Sequence, residues 1–154
     1  MEKKLEERIM EAFPDSVREI KFMAGKRVVS VVVNADMLRE VADFLKREVG
    51  FDVLVSVGAI DYIDAKVFQL VYYVWSSSRG VLMMMKADLP RDNPSAFSLV
   101  NVWEAADYHE RETWEMFGIN FQEHPNLTRL LLPEEWEGGF PLRRDFVFKP
   151  GGEA

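Results

Sequence analysis

Residues 51–87 read FDVLVSVGAIDYIDAKVFQLVYYVWSSSRGVLMMMKA, and this stretch decides the fold. Three apolar runs, 51–60, 67–75 and 81–87, are separated by polar turns that are too short for a crossover helix. We therefore predict three consecutive antiparallel strands. In the first strand, alternation predicts one buried face; its members are Phe51, Val53, Val55 and Val57. The turn after it contains Asp61 and Asp64, which we interpret as solvent-exposed rather than as a catalytic carboxylate pair.

The segments around this meander predict further helices and strands. A helix is expected over 1–13, strands over 17–22 and 26–33, and a helix that starts at Asn34 or Asp36 and ends at Gly50. A third helix is expected from about 102 to 117, with Asn101 and Glu104 as a capping box. This order predicts an α+β fold, a two-layer sandwich of a mixed, mostly antiparallel sheet with helices on one face.

Composition excludes several classes of function. The 154 residues include 19 Lys and Arg against 26 Asp and Glu, a net charge of −7, which disfavours nucleic acid as a partner. The absence of cysteine excludes disulfides and cysteine-bound iron–sulfur clusters. No apolar run approaches the roughly 20 residues of a membrane span, and the charged N-terminus does not resemble a signal peptide. We therefore expect a cytoplasmic location.

The third helix has a carboxylate in its apolar stripe, which comprises Trp103, Ala106, Glu110, Trp114 and Phe117. A buried Glu110 would need a cation or several N–H donors. We expect Glu110, Arg111 and Glu112 to form an ion-pair network with the tail. The expected partners are Arg129, Arg143, Arg144 and Asp145.

Residues 119–154 are predicted to form an extended C-terminal tail on a body of residues 1–118. Four prolines and a Gly-Gly pair disfavour helices and long strands between 119 and 150, yet this segment is rich in Leu, Phe and Trp. Burying one such large side chain contributes roughly 1.5 to 3 kcal/mol. The tail must therefore pack on something, and we expect at least part of it to contact a partner protein.

The region from Trp103 to Phe146 resembles the signature region of the 30-kilodalton subunit family of respiratory complex I. The matching positions are Glu110-Arg111-Glu112, Trp114 to Ile119, Phe121, His124-Pro125, Leu127, Arg129, Leu131, Trp136 and Pro141-Leu142-Arg143-Arg144-Asp145-Phe146. Glu123 and Thr128 depart from the family pattern, in which a glycine and a basic residue are usual.

The resemblance implies a non-catalytic subunit in the hydrophilic arm of a membrane-bound oxidoreductase. It implies no cofactor in this chain, with iron–sulfur clusters, and in a hydrogenase a [NiFe] centre, in partner subunits. Those partners would be the large subunit with the quinone or [NiFe] site, the iron–sulfur small subunit and other hydrophilic-arm subunits. The chain would then lie at the cytoplasmic face of the cell membrane as a peripheral protein.

The partner-binding residues that the resemblance implies are Glu110, Arg111, Glu112, His124, Pro125, Arg129, Trp136, Pro141, Leu142, Arg143, Arg144, Asp145 and Phe146. The short chain favours the subunit of an energy-converting membrane-bound hydrogenase or a related complex, and the alternative is an NADH:quinone oxidoreductase proper. A stand-alone metal hydrolase using His109 and His124 and a soluble adaptor are the competing hypotheses. Co-purification with membrane subunits would distinguish the subunit of a membrane-bound oxidoreductase from these two competing hypotheses.

Overall fold

A computed structural model describes residues 1–149. Its regular elements include the predicted helices and strands in the predicted order, and two three-residue strands that were not predicted. They are α1 (Glu2–Ala12), β1 (Val17–Phe22), β2 (Val28–Val33), α2 (Leu38–Phe44), β3 (Val53–Tyr62), β4 (Val67–Ser76), β5 (Val81–Pro90), β6 (Ser95–Phe97), α3 (Ala106–Phe117) and β7 (Asn120–Gln122). A 3₁₀ turn, Ala35–Met37, precedes α2, and a π turn, Leu45–Val49, extends it to Gly50, which is left-handed at φ 93°.

Five strands form one sheet in the order β1-β2-β5-β4-β3. The predicted meander β3-β4-β5 is antiparallel, as is β1-β2, whereas β2 and β5 run parallel. A separate parallel pair joins β6 to β7. The sheet is thus mixed and mostly antiparallel, which confirms the predicted fold class.

The hydrophobic core lies between one face of the sheet and the helices. Alternate residues of β4 and β5 are buried, including Tyr72 and Met85, and they belong to the same apolar cluster as Ile9 of α1 and Val41 of α2. On the opposite face Trp75 is 36% exposed. This arrangement is a two-layer sandwich with its helices on one side.

The predicted buried face of β3 is wrong in part. Val53 and Val55 are 44% and 52% exposed, whereas Leu54 and Val57 are buried. The register against β4 shifts between Leu54 and Ser56, because an extra residue forms a β-bulge there. A bulge interrupts the two-residue alternation on which the prediction relied.

The predicted side-chain N-caps of the helices are also wrong. The Asn34 side-chain amide donates to the carbonyl of Asp15, its oxygen accepts no N–H of the following helix, and neither α2 nor α3 has a side-chain N-cap. The segment 102–105 forms turns, so α3 begins at Ala106 rather than near residue 102. Its C-terminus is as predicted, because Gly118 follows with a left-handed φ of 77°.

The tail has no helix and only the three-residue β7 between residues 119 and 149. It starts on the body, since Ile119 and Phe121 are buried in the core. The last residues of the predicted tail, 150–154, lie outside the described residues. Within residues 1–149 no helix is long and apolar enough to cross a membrane.

Candidate partner-binding site

Glu110 is completely buried, as the stripe predicted, but its partners differ from the prediction. Its carboxylate accepts hydrogen bonds from the Tyr72 hydroxyl at 2.8 Å, the Ser98 hydroxyl at 2.6 Å and the Leu99 N–H at 2.7 Å. Burial raises the pKa of Glu110, and the three donors oppose that shift. Burial together with this carboxylate raises the pKa of the Tyr72 phenol well above its usual value.

His124 lies beside this cluster. Its Nδ1 accepts the N–H of Asn126 at 3.0 Å, which places the proton of the neutral ring on Nε2. Nε2 is 3.2 Å from the carbonyl oxygen of Asp107 and 3.9 Å from the Glu110 carboxylate. His124 therefore joins the start of the tail to α3. Within residues 1–149 no group of three or more acidic residues and histidines is arranged to bind a metal ion.

Two further side chains of α3 contact the main chain of the tail. The Arg111 guanidinium donates to the carbonyls of Thr128 and Arg129 at 3.1 Å each. The Glu115 carboxylate, on a residue only 1% exposed, accepts three consecutive N–H groups, those of Leu130, Leu131 and Leu132, at 2.6 to 3.3 Å. Glu115 was not predicted as a site residue, although it lies within an apolar stretch of a helix.

The tail also covers the C-terminal end of α3. The N–H of Leu142 donates to the Met116 carbonyl at 3.0 Å, and Arg143 Nε donates to the Phe117 carbonyl at 2.6 Å. These are carbonyls of the last helical turn, which lack partners within a helix. The Arg143 guanidinium also lies over the rings of Phe68 and Phe140, and burial lowers its pKa.

Asp61 and Arg91 bind the tail at Arg144 and Asp145. Asp61 is buried and pairs with Arg91 through two hydrogen bonds of 2.8 and 3.0 Å, so its interpretation as a solvent-exposed turn residue is wrong. Asp61 also accepts the N–H of Arg144, and Arg91 reaches Asp145 at 2.8 Å. Arg91 holds the pKa of both carboxyls below their usual range.

The expected ion-pair network of α3 is therefore not formed. Glu110 and Arg111 make no ion pair with the side chains of the predicted partners, although Arg111 donates to the main-chain carbonyl of Arg129. Asp145 pairs with Arg91 of the body. No hydrogen bond or ion pair of the Glu112 side chain occurs within residues 1–149. Sequence spacing could place Glu110 in the core, but it could not bring Tyr72 or Ser98 to it.

The remaining predicted residues lie along the tail. Arg129 donates to the Trp136 carbonyl at 3.0 Å, and the Trp136 ring is 6.5 Å from that of Phe146. Pro125 is exposed and Pro141 is half-buried. Large apolar side chains of the same segment face solvent. They are Leu131, Leu142, Val147 and Phe148, which are 54%, 55%, 72% and 66% exposed.

The order of residues around α3 and the tail is matched by a known family. The sequence profile of the family described as "Respiratory-chain NADH dehydrogenase, 30 Kd subunit" covers residues 31–151. The chain belongs to this 30-kilodalton subunit family. The resemblance seen in residues 103–146 is thereby confirmed, and the chain is a subunit of a complex-I-like oxidoreductase.

Relatives within the 30-kilodalton subunit family align over nearly the whole chain. One subunit of the F420H2 dehydrogenase of Methanosarcina mazei is 38% identical over 142 residues, which is 92% of this chain and 89% of that protein. One subunit of the NADH-quinone oxidoreductase of Roseiflexus sp. strain RS-1 is 39% identical over 142 residues, 90% of this chain and 80% of that protein. Both relatives are subunits of multi-subunit oxidoreductases.

Two solved structures share the fold of the 30-kilodalton subunit. A chain of the archaeal membrane-bound sulfane sulfur reductase superposes with a TM-score of 0.83 at 23% identity, covering 94% of this chain and 85% of that one. A trypsin-resistant fragment of Nqo5 superposes with a TM-score of 0.68 at 25% identity, covering 80% of this chain and 99% of the fragment.

Proposed function

We propose that this chain is a non-catalytic, hydrophilic-arm subunit that supports assembly and positions the large subunit of a complex-I-like oxidoreductase. The observation that carries this proposal is the tail, which lies on the body and turns large apolar side chains outward. We call the exposed side chains of Leu131, Leu142, Val147 and Phe148 the tail surface. Covering the apolar area that these side chains still expose would favour association by about 25 cal/mol per Å².

Charge adds chemical detail to the proposed contact. Arg144 is exposed between Leu142 and Val147, and its guanidinium has no ion-pair partner among residues 1–149. The exposed Lys149 lies in the same segment. A partner surface that is apolar and bears carboxylates would complement this part of the tail surface.

The relatives favour a dehydrogenase complex over the hydrogenase that chain length suggested. Two relatives, at 38% and 39% identity, are subunits of F420H2 dehydrogenase and of NADH-quinone oxidoreductase. We therefore propose that the chain belongs to a complex that passes electrons toward a quinone-type acceptor, with the iron–sulfur clusters in its partner subunits. It would be attached to the cytoplasmic face of the membrane through those partners.

Purification of a tagged chain from native membranes in mild detergent tests the proposal. Membrane subunits, a large subunit and iron–sulfur proteins should co-purify with it, and the absence of all of them would refute it. Co-purifying soluble proteins alone would indicate an adaptor, and nickel in the large subunit would assign a hydrogenase. A free chain with hydrolytic activity lost on His124→Ala would support the metal hydrolase.

A matched pair of variants locates the contact. Val147→Glu introduces a charge into the tail surface and should reduce recovery of the large subunit about tenfold or more. Met10→Glu introduces the same charge at an exposed apolar position of α1, where it should have little effect. Equal recovery with both variants would show that the tail surface is not the contact.

A further inference from the structure

The body contacts the tail largely through the tail's main chain. Arg111 binds two carbonyls, Glu115 binds three N–H groups, Asp61 binds the Arg144 N–H, and the Met116 carbonyl accepts the Leu142 N–H. Contacts of this kind fix the path of the tail while its side chains remain available to another molecule.

Glu115 makes the most concentrated of these contacts. One carboxylate satisfies three successive amide groups, and such consecutive N–H groups form a concave anion-binding arrangement. Among residues 1–149 no Lys, Arg or His lies within ion-pair distance of Glu115, so these amides supply its main electrostatic compensation. Hydrogen bonds to a charged group are stronger than those between neutral groups.

Side-chain packing accounts for little of the order at this point. Leu131, the middle residue of the three, is 54% exposed, and Leu130 and Leu132 are only half-buried. The main-chain hydrogen bonds to Glu115 therefore define the conformation of 130–132. Without these hydrogen bonds, the N–H groups of 130–132 would face α3 with no acceptor, which is unfavourable for buried donors.

We propose that Glu115 is a positioning residue that fixes the tail before any partner binds. This inference rests on the proposed function for the identity of the partner. A surface that is already ordered avoids most of the entropy cost of ordering the tail during association. The partner would then meet a preformed tail surface instead of a flexible strand.

Hydrogen–deuterium exchange on the isolated full-length chain tests the first half of the proposal. The main-chain amides of 130–132 should be protected in the wild type. Glu115→Gln should lower their protection at least tenfold, because the glutamine side chain has one acceptor oxygen in place of two and adds an NH₂ donor group. Glu104→Gln is the control and should leave protection unchanged, because Glu104 is exposed just before α3 and its side chain makes no hydrogen bond among residues 1–149. Amides of β4 and β5 should stay protected in both variants, which shows that the body is folded.

Binding to the detergent-solubilised complex depleted of this subunit tests the second half. Glu115→Gln should bind about tenfold more weakly than Glu104→Gln, and its amides 130–132 should regain protection once it is bound. This recovery separates preordering from a merely structural defect, which would leave the bound amides unprotected.

Several outcomes would overturn the proposal. They are free exchange of amides 130–132 in the isolated wild type, loss of protection in Glu115→Gln with unchanged binding, and unprotected amides in the bound variant. If the wild-type amides are protected, and Glu115→Gln removes that protection, but the wild type does not bind the depleted complex, fixation by Glu115 stands and the proposed function fails.

Discussion

Glu110 lies fully buried on α3, with three hydrogen-bond donors and no arginine or lysine within ion-pair distance among residues 1–149. The two carboxylate oxygens can accept several hydrogen bonds, and here they accept three, from the Tyr72 and Ser98 hydroxyls and the Leu99 N–H. Glu110 therefore joins β4, the segment after β6, and α3. These hydrogen bonds lie within the body, whereas an ion pair with the tail was expected.

The raised pKa of Glu110 predicts a pH-dependent stability. The folded state binds the Glu110 proton more tightly than the unfolded chain, in which the pKa of this carboxyl is near 4.5. The contribution of Glu110 is therefore most favourable below pH 4.5 and declines as pH rises through its folded pKa. As pH rises from 4.5 through the folded pKa, the free energy of unfolding of Glu110→Gln should increase relative to that of the wild type. Urea titrations at several pH values would measure this difference. A constant difference would contradict the raised pKa.

Removal of the carboxylate has a different consequence. Glu110→Ala leaves three buried donors without an acceptor, each at a cost of about 1 kcal/mol or more. We expect urea unfolding to show a loss of about 3 kcal/mol, with Glu112→Ala on the same helix changing stability by less than about 0.5 kcal/mol. Similar losses in the two variants would show that the buried hydrogen bonds contribute little.

At the level of elements, Gly118 connects α3 to the tail. Its φ is 77°, and a Cβ atom there would lie 2.6 Å from the Phe140 ring and 2.7 Å from the Arg143 guanidinium. Gly118→Ala should therefore cost the roughly 1–2 kcal/mol of a left-handed alanine and also displace the tail. Thermal unfolding and exchange at Leu142 would measure both effects.

Gly25 provides the matched control for Gly118. It is also left-handed, with a φ of 70°, but a Cβ atom there would meet no atom within 4 Å. Gly25→Ala should show only the conformational cost and leave exchange at Leu142 unchanged. Equal losses of stability in the two variants would show that Phe140 and Arg143 adjust freely.

The sequence predicted most elements because their signals are local. The meander, the left-handed glycines and the apolar stripe of α3 are all visible within about a dozen residues of chain. The bulge at Val55 has no such signal, and the pairing of β6 with β7 joins short segments 25 positions apart. The contacts of Glu115 and Asp61 depend on the path of the tail, which turn-rich sequence does not specify.

At the level of the whole molecule, Asp61 and Arg91 join Arg144 and Asp145 of the tail to the sheet. Asp61→Asn removes a charged acceptor of three hydrogen bonds, from Arg91 and from the Arg144 N–H. We expect a loss of about 2 kcal/mol in urea unfolding, since a hydrogen bond to a charged group contributes about 1.5–3 kcal/mol. Asp64→Asn, in the exposed turn, is the control. Equal unfolding midpoints would show that this pair does not stabilise the tail.

The attachments of the tail at Leu132 and at Leu142 make residues 133–141 a closed loop. The entropy of closing a flexible loop grows only logarithmically, by about 0.6 kcal/mol for each doubling of its length. Extra residues near the exposed Glu137 and Gly138 should therefore be inexpensive. This position is suited to carry an epitope or a fluorophore, which would make assembly of the complex visible without altering either end of the loop.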